Sequence, residues 1–139
     1  MILADTGFWL ALINKRDKHH SKATAFMQHC RENLITTWPV ITETCYMLGR
    51  DLGINSQTLF LQLIKSDLVS ISDISNAYID KIEQLMIKYA DLPMDLADAS
   101  LVLLAEELGH GRILSTDQRD FHCYRWKSHQ PFENLLFTI

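Results

Sequence analysis

Cysteine is scarce in this 139-residue chain, and the three present, Cys30, Cys45 and Cys123, are odd in number, far apart and never in a C-x-x-C pair. That spacing argues against a disulfide framework and a zinc ribbon, and it fits a reducing, cytoplasmic compartment. Long hydrophobic runs are missing as well. Asp5, Lys15, Glu43 and Asp98 interrupt the longest of them, so none reaches the roughly 18 apolar residues of a transmembrane helix. The apolar start carries Asp5 and no basic residue before Lys15, the reverse of a signal peptide's charge order. No G-x-x-x-x-G-K-[ST] or G-x-G-x-x-G occurs, so nucleotide binding through those phosphate cradles is excluded. Linkers, repeats and low-complexity tracts are also absent. What remains, at 47% apolar and 22% charged residues, is one globular domain over residues 1–139, long enough to bury about two thirds of its surface without disulfide or metal.

Periodicity divides the chain. Ile2 to Ala4 is a short apolar strand ending at Asp5-Thr6-Gly7, a tight turn, after which Phe8, Trp9, Leu12 and Ile13 recur at helical spacing. Asp17 begins a second helix with Ala23, Phe26, Met27 and Cys30 as its stripe. Leu34 to Trp38 is a β-branched second strand, and Pro39 stands where a first helical turn tolerates it, ahead of Val40, Glu43, Met47 and Arg50. Ser56 is the expected cap of a helix with Leu59, Phe60, Leu63 and Ile64 facing inward, and Leu68 to Ile71 is a third strand. Ser75 opens a long helix, Ala77 to Tyr89; Asp91-Leu-Pro-Met ends it; Asp95 starts another that runs to Leu108 with Gly109 as its stop. Arg112 to Thr116 is a fourth strand, and one or two edge strands follow. This order implies a three-layer α/β/α sandwich around a central, mostly parallel sheet of four to five strands. Trp9 and Trp38 are assigned to its core.

Ligands of open parallel sheets bind beyond the carboxyl ends of the strands. Asp5 ends the first strand, Glu43 lies one turn into the helix after the second, Asp98 is on the first turn of the helix before the fourth, and Asp117 follows the fourth. Asp5 and Asp98 are bracketed by apolar residues, and an ionised carboxylate so embedded needs a partner. No Lys or Arg adjoins these four acids in sequence. Facing carboxylates either share protons or bind a cation, and hard oxygen ligands select Mg²⁺ or Mn²⁺. The chemistry so implied is metal-assisted hydrolysis of a phosphodiester, with a carboxylate available to orient the attacking water.

These residues carry a resemblance. Ile2-Leu-Ala-Asp5-Thr6, Thr36-Thr-Trp-Pro-Val-Ile-Thr-Glu43, Pro93-Met-Asp-Leu-Ala-Asp98-Ala-Ser-Leu-Val102 and Ile113-Leu-Ser-Thr116-Asp117-Gln-Arg-Asp120-Phe121 occur in the order of the PIN-domain (PilT N-terminal) family, and the chain resembles its VapC-type toxins over nearly its whole length. The resemblance implies a Mg²⁺- or Mn²⁺-dependent endoribonuclease, the toxin of a type II toxin–antitoxin pair, usually dimeric and blocked by a small antitoxin. It places the metal-binding acids at Asp5, Glu43, Asp98 and Asp117, with Thr6 and Thr116 as nearby hydroxyls. Asp95 shares a helix face with Asp98, so either could be the third acid; Asp98 fits the family pattern and Asp95 fits an N-cap. Asp117 is taken as the ligand and Asp120 as its supporting or turn-capping neighbour.

Net charge is −4, unlike a nucleic-acid binder. Setting aside Asp5, Glu43, Asp95, Asp98, Asp117 and Asp120 leaves 11 acids against 13 basic residues. Arg112, Arg119, Arg125 and Lys127, interleaved with Phe121, Tyr124 and Trp126, form a candidate RNA-binding patch through phosphate contact and stacking. The stretches Phe8 to Ile13 and Ser56 to Ile64 are candidate apolar surfaces for a second copy or an antitoxin. Two other functions compete. A phosphatase of the haloacid dehalogenase type also starts strand-Asp-x-Thr, but position 7 is Gly where its second acid belongs. A non-catalytic PIN-like interaction module would have lost its acids, and all four are present.

Overall fold

Ile2, Leu3 and Ala4 are buried because their strand runs through the middle of the sheet, with a neighbour on each side. The structure, a computed structural model, describes residues 1–137. Its strands are β1 (Ile2–Ala4), β2 (Leu34–Thr37), β3 (Val69–Ser72), β4 (Arg112–Leu114), β5 (Arg125–Trp126), β6 (Gln130–Pro131) and β7 (Glu133–Asn134). Five of them form one sheet in the order β3-β2-β1-β4-β7, every pair parallel. The helices are α1 (Thr6–Ile13), α2 (His20–His29), α3 (Trp38–Asp51), α4 (Ile54–Ile64), α5 (Ile79–Lys88), α6 (Leu96–Leu108) and α7 (Gln118–Cys123). Right-handed crossovers put α1 to α4 on one face, because the chain steps outward from β1 to β3 there, and α5 and α6 on the other, because it steps back from β3 to β4. The direction of travel reverses between β1 and β4, so a crevice opens at their carboxyl ends.

The core beneath that crevice is aromatic and aliphatic. Trp9 packs against Phe60 with ring centroids 5.8 Å apart, and Phe8 meets Phe26 edge-on at 6.5 Å. On the opposite face α6 is buried from Ala99 to Ala105, which is why it reads as an uninterrupted apolar run rather than a stripe.

Several boundaries differ from the sequence reading. No turn separates β1 from α1: Asp5 is itself the N-cap, and the helix starts at Thr6. Trp38 belongs to α3 and not to β2, and at 50% exposure it is not a core residue; the Thr37 hydroxyl ends the strand by capping the helix. Gly53, with φ of 96°, stands at the start of α4 in place of Ser56, and Leu59 is exposed. Phe8, Trp9 and Ala11 are buried, so the apolar surface of α1 is confined to the partly exposed Leu10, Leu12 and Ile13. The helix expected from Ala77 begins as a 3₁₀ turn, Asn76–Tyr78. After β4 the chain forms the short α7, an antiparallel pair β5–β6 outside the main sheet, and the edge strand β7.

Candidate active site

Asp5 sits at the switch point because β1 delivers it there and α1 begins on it. Its Oδ1 accepts the Thr6 N–H at 2.7 Å and its Oδ2 accepts the Ser115 hydroxyl at 3.0 Å. At 6% exposure the charge is poorly hydrated. Burial, against the opposing pull of those two donors and with help from the charges of Glu43 and Asp95, raises its carboxyl to about 7.

Asp98 and Asp95 come from the start of α6. Asp95 is the N-cap and the two acids form a reciprocal box, the Asp98 N–H donating to Asp95 Oδ1 at 2.8 Å and the Asp95 N–H to Asp98 Oδ2 at 3.5 Å. The buried Tyr124 points its hydroxyl at Asp98 Oδ2 and at the Leu92 carbonyl, 3.2 Å from each. Burial first, then the nearby charges of Asp5 and Asp95, push the Asp98 carboxyl up to about 8. Glu43, half-buried in the second turn of α3, is also raised, by burial and by the neighbouring Asp95 carboxyl, against the Thr6 hydroxyl beside it. That hydroxyl is buried and closes no hydrogen bond of good geometry.

Asp117 and Asp120 form a second pair. Asp117 is the N-cap of α7, accepting the Asp120 N–H at 2.9 Å, while its own N–H donates to Ser115 Oγ at 3.0 Å. The capping role therefore falls to Asp117, and Asp120, 9% exposed, meets Arg119 at 3.3 Å. Burial and the Asp120 carboxyl raise Asp117. Thr116 packs on Gly7 so closely that a Cβ there would lie 2.0 Å from its Oγ1.

The six acids thus stand as two groups, Asp5, Glu43, Asp95 and Asp98 on one side and Asp117 with Asp120 on the other, bridged by Ser115 and Tyr124. No ion pair among the described residues involves Asp5, Glu43 or Asp98. Equally, no three His, Cys, Asp or Glu side chains among the described residues converge into a ready cage for a metal. A donor set of carboxylates taken two at a time, with open positions for water and phosphate, is the arrangement hard Mg²⁺ tolerates and a closed cage is not needed. The residues present fit such an ion.

The basic candidates scatter. Arg112 lies at the amino end of β4, away from the acids, and holds Glu32 through two bonds of 2.8 Å. Arg125 donates to the carbonyls of His122 and Tyr124, and Lys127 lies 5.8 Å over the Trp126 ring. Arg119, with a side chain 76% exposed, is the one of the four beside the acids. Phe121 and Tyr124 are buried and offer no stacking surface. Three residues to which the sequence reading assigned no role among the acids hold the site: Ser115, Asn134 and Tyr124, the last expected instead to stack on RNA. Asn134 accepts the Ser115 N–H at 3.2 Å and donates to its carbonyl at 2.8 Å. Ser115 lay inside a recognised motif, whereas nothing local distinguishes Tyr124 or Asn134.

A parallel sheet whose switch point opens on an acid-lined crevice marks an α/β domain that takes its ligand at the carboxyl ends of its strands, and comparison with known proteins gives it a family. The chain belongs to the PIN domain family, whose model matches residues 2–126. It is 23% identical over 138 residues to Ribonuclease VapC26 of Mycobacterium tuberculosis, covering 99% of this chain and 98% of that one. The crystal structure of M. tuberculosis VapC20, described as a toxin that cleaves the sarcin-ricin loop, shares the fold with a TM-score of 0.79 at 19% identity, over 86% of this chain and 92% of that one. Among the described residues no helix is long and apolar enough to cross a membrane.

Proposed function

We propose that this chain is a Mg²⁺- or Mn²⁺-dependent endoribonuclease, the toxin of a type II toxin–antitoxin pair, acting in the cytoplasm as a homodimer and restrained by a small cognate antitoxin. The observation that carries the reading is the buried Asp5 beside Asp98 at the switch point, with no cationic side chain paired to either among the described residues. Like charges so placed keep protons unless a cation replaces them. Asp5 and Asp98 would hold that ion as a pair, with Asp117, across Ser115 from Asp5, as the further candidate ligand; when bound, the ion would polarise a phosphodiester oxygen and lower the pKa of a coordinated water. Ser115 fixes the orientation of Asp5 through Oδ2, and Tyr124 that of Asp98. Glu43, raised and only half-buried, is suited to take the proton of the attacking water. Thr6, its hydroxyl buried beside Glu43, is placed to orient that carboxyl, and Thr116 stands across Gly7 from it.

RNA is favoured as substrate by the relatives, one named a ribonuclease and one described as cleaving the sarcin-ricin loop. An antitoxin or a second copy would find apolar surface on α4, where Ile54, Leu59 and Leu61 are exposed. The decisive experiment incubates a mixed structured and single-stranded RNA pool with wild type, Asp5→Asn and Asp98→Asn in Mn²⁺, Mg²⁺ or EDTA. Cleavage is expected only from the wild type with metal, the variants falling by at least about two orders of magnitude with unchanged circular dichroism. Equal cleavage by folded variants would overturn the site assignment.

A further inference from the structure

Trp38 is half-exposed beside the acids, where a tryptophan placed only for the core would be covered. It is the first residue of α3, set rigidly by the Thr37 cap, by Pro39 in the first turn and by the 2.6 Å contact of the Thr37 and Ser100 hydroxyls that ties α3 to α6. On one side of the indole lies a groove of about 620 Å³ lined by Trp38, Pro39, Glu43, Tyr46, Asp95 and Leu96. On the other lies a second hollow of about 450 Å³, shared by Trp38, Pro39, Ile79 and Leu96. The ring is therefore a ridge between two open depressions. Tyr46, 66% exposed, stands in the first of them.

Two members of the groove, Glu43 and Asp95, also belong to the acid cluster, so the groove beside the indole is continuous with the acids. The charges lining the groove are both negative, with no Lys or Arg among them. A phosphate would be repelled there, while a neutral planar group would stack. Along the rim of the sheet the order is Trp38 at the end of β2, Asp5 at the end of β1, then Asp117 and, beyond β4, the exposed Arg119, which is paired with Asp120. A strand lying along this rim meets an aromatic face, the acids and a cation in turn.

We propose that Trp38 is a stacking platform for an unpaired base next to the phosphate that is cut, so that this site takes single-stranded RNA and rejects duplex. The proposal rests on the nuclease reading above. A paired base already stacks on both faces within its helix and has none to give the indole. Base stacking on an aromatic side chain tolerates any base, so the platform selects strandedness and not sequence.

The test measures binding in the full-length Asp98→Asn protein with Mg²⁺, a background in which cutting is suppressed and one repelling charge is gone. Fluorescein-labelled hexauridylate, hexa-adenylate and a 12-base-pair RNA duplex are titrated by anisotropy against this protein carrying Trp38, Trp38→Phe or Trp38→Ala, with sedimentation run on each. Expected are single-strand affinities weakened roughly 5- to 150-fold by Trp38→Ala and mostly kept by Trp38→Phe, weak duplex binding that neither change alters, and hexanucleotide quenching of indole emission that Trp38→Phe removes. Unchanged single-strand affinity in Trp38→Ala overturns the platform, as does a loss that tracks dissociation of a dimer, which would place the indole between two copies. Trp38-dependent binding of single strands by a protein whose wild type cuts no RNA keeps the platform and removes the nuclease reading. Metal- and Asp5-dependent cutting that ignores Trp38 does the reverse.

Discussion

At the scale of single residues, the site is governed by where protons sit. Asp5 and Asp98 have carboxyls raised from 3.8 to about 7 and about 8, burial being the main cause in both. The folded state therefore binds protons that the unfolded chain has already released, and stability falls as pH rises wherever that difference holds. The stabilising contribution of the protonated pair is complete below about pH 4 and is lost as pH climbs through 7 and 8. For metal-free protein, the melting temperature is expected to drop between pH 5 and pH 8 more steeply than in the Asp5→Asn/Asp98→Asn double variant, measured by calorimetry in EDTA. Parallel curves would show that burial of these carboxyls carries no such penalty. Asp5 and Asp98 were legible in the sequence because a charge inside an apolar run is anomalous on its face. Asp95 and Glu43 were legible by position alone. Ser115 and Tyr124 were not, because their roles depend on contacts 110 and 26 residues away along the chain, and a hydroxyl or a phenol in sequence gives no sign of its partner.

At the scale of elements, the strands and long helices followed from period and from their stop signals, while the short pieces did not. α6 has both signals, an Asp95 cap and Gly109 with φ of 76° after its last turn. Replacing Gly109 by alanine leaves the space free, since nothing lies within 4 Å of a Cβ there, but forces an L side chain into the left-handed region at a cost of about 1–2 kcal/mol. The expected result is a melting temperature lower by roughly 3–8 °C with cleavage unchanged, checked by calorimetry and the RNA assay. α7, β5, β6 and β7 span two to six residues each, too few for any periodicity to emerge, and they are held by tertiary contacts instead. Trp38 misled for a related reason. Its aromatic, β-favouring character extends the Leu34 to Thr37 run, yet the Thr37 hydroxyl turns the chain into a helix one residue earlier and leaves the indole outside.

At the scale of the molecule, the formal net charge of −4 depends on the six acids where the sheet reverses direction, since the rest of the chain has 11 acids against 13 basic residues. Relief of that local repulsion by a cation acts only on the folded chain, since the unfolded one has no such cluster. Mn²⁺ or Mg²⁺ at about a hundred times its dissociation constant is expected to stabilise the protein by about 2.7 kcal/mol, seen as a raised melting temperature that EDTA reverses and Asp5→Asn abolishes. A melting temperature indifferent to millimolar metal would contradict an ion held by these acids.

The placement of β7 adds a dimension of time. Asp5 is made well before Asn134, yet the hydroxyl that orients it comes from Ser115, and Ser115 is clamped in turn by Asn134. At roughly 5–20 residues per second of synthesis, roughly 6–26 s separate Asp5 from Asn134. A nascent chain can bury β1 and pair it with β2 throughout that interval without possessing a finished crevice, so the clamp on Ser115 closes only once β7 has been translated.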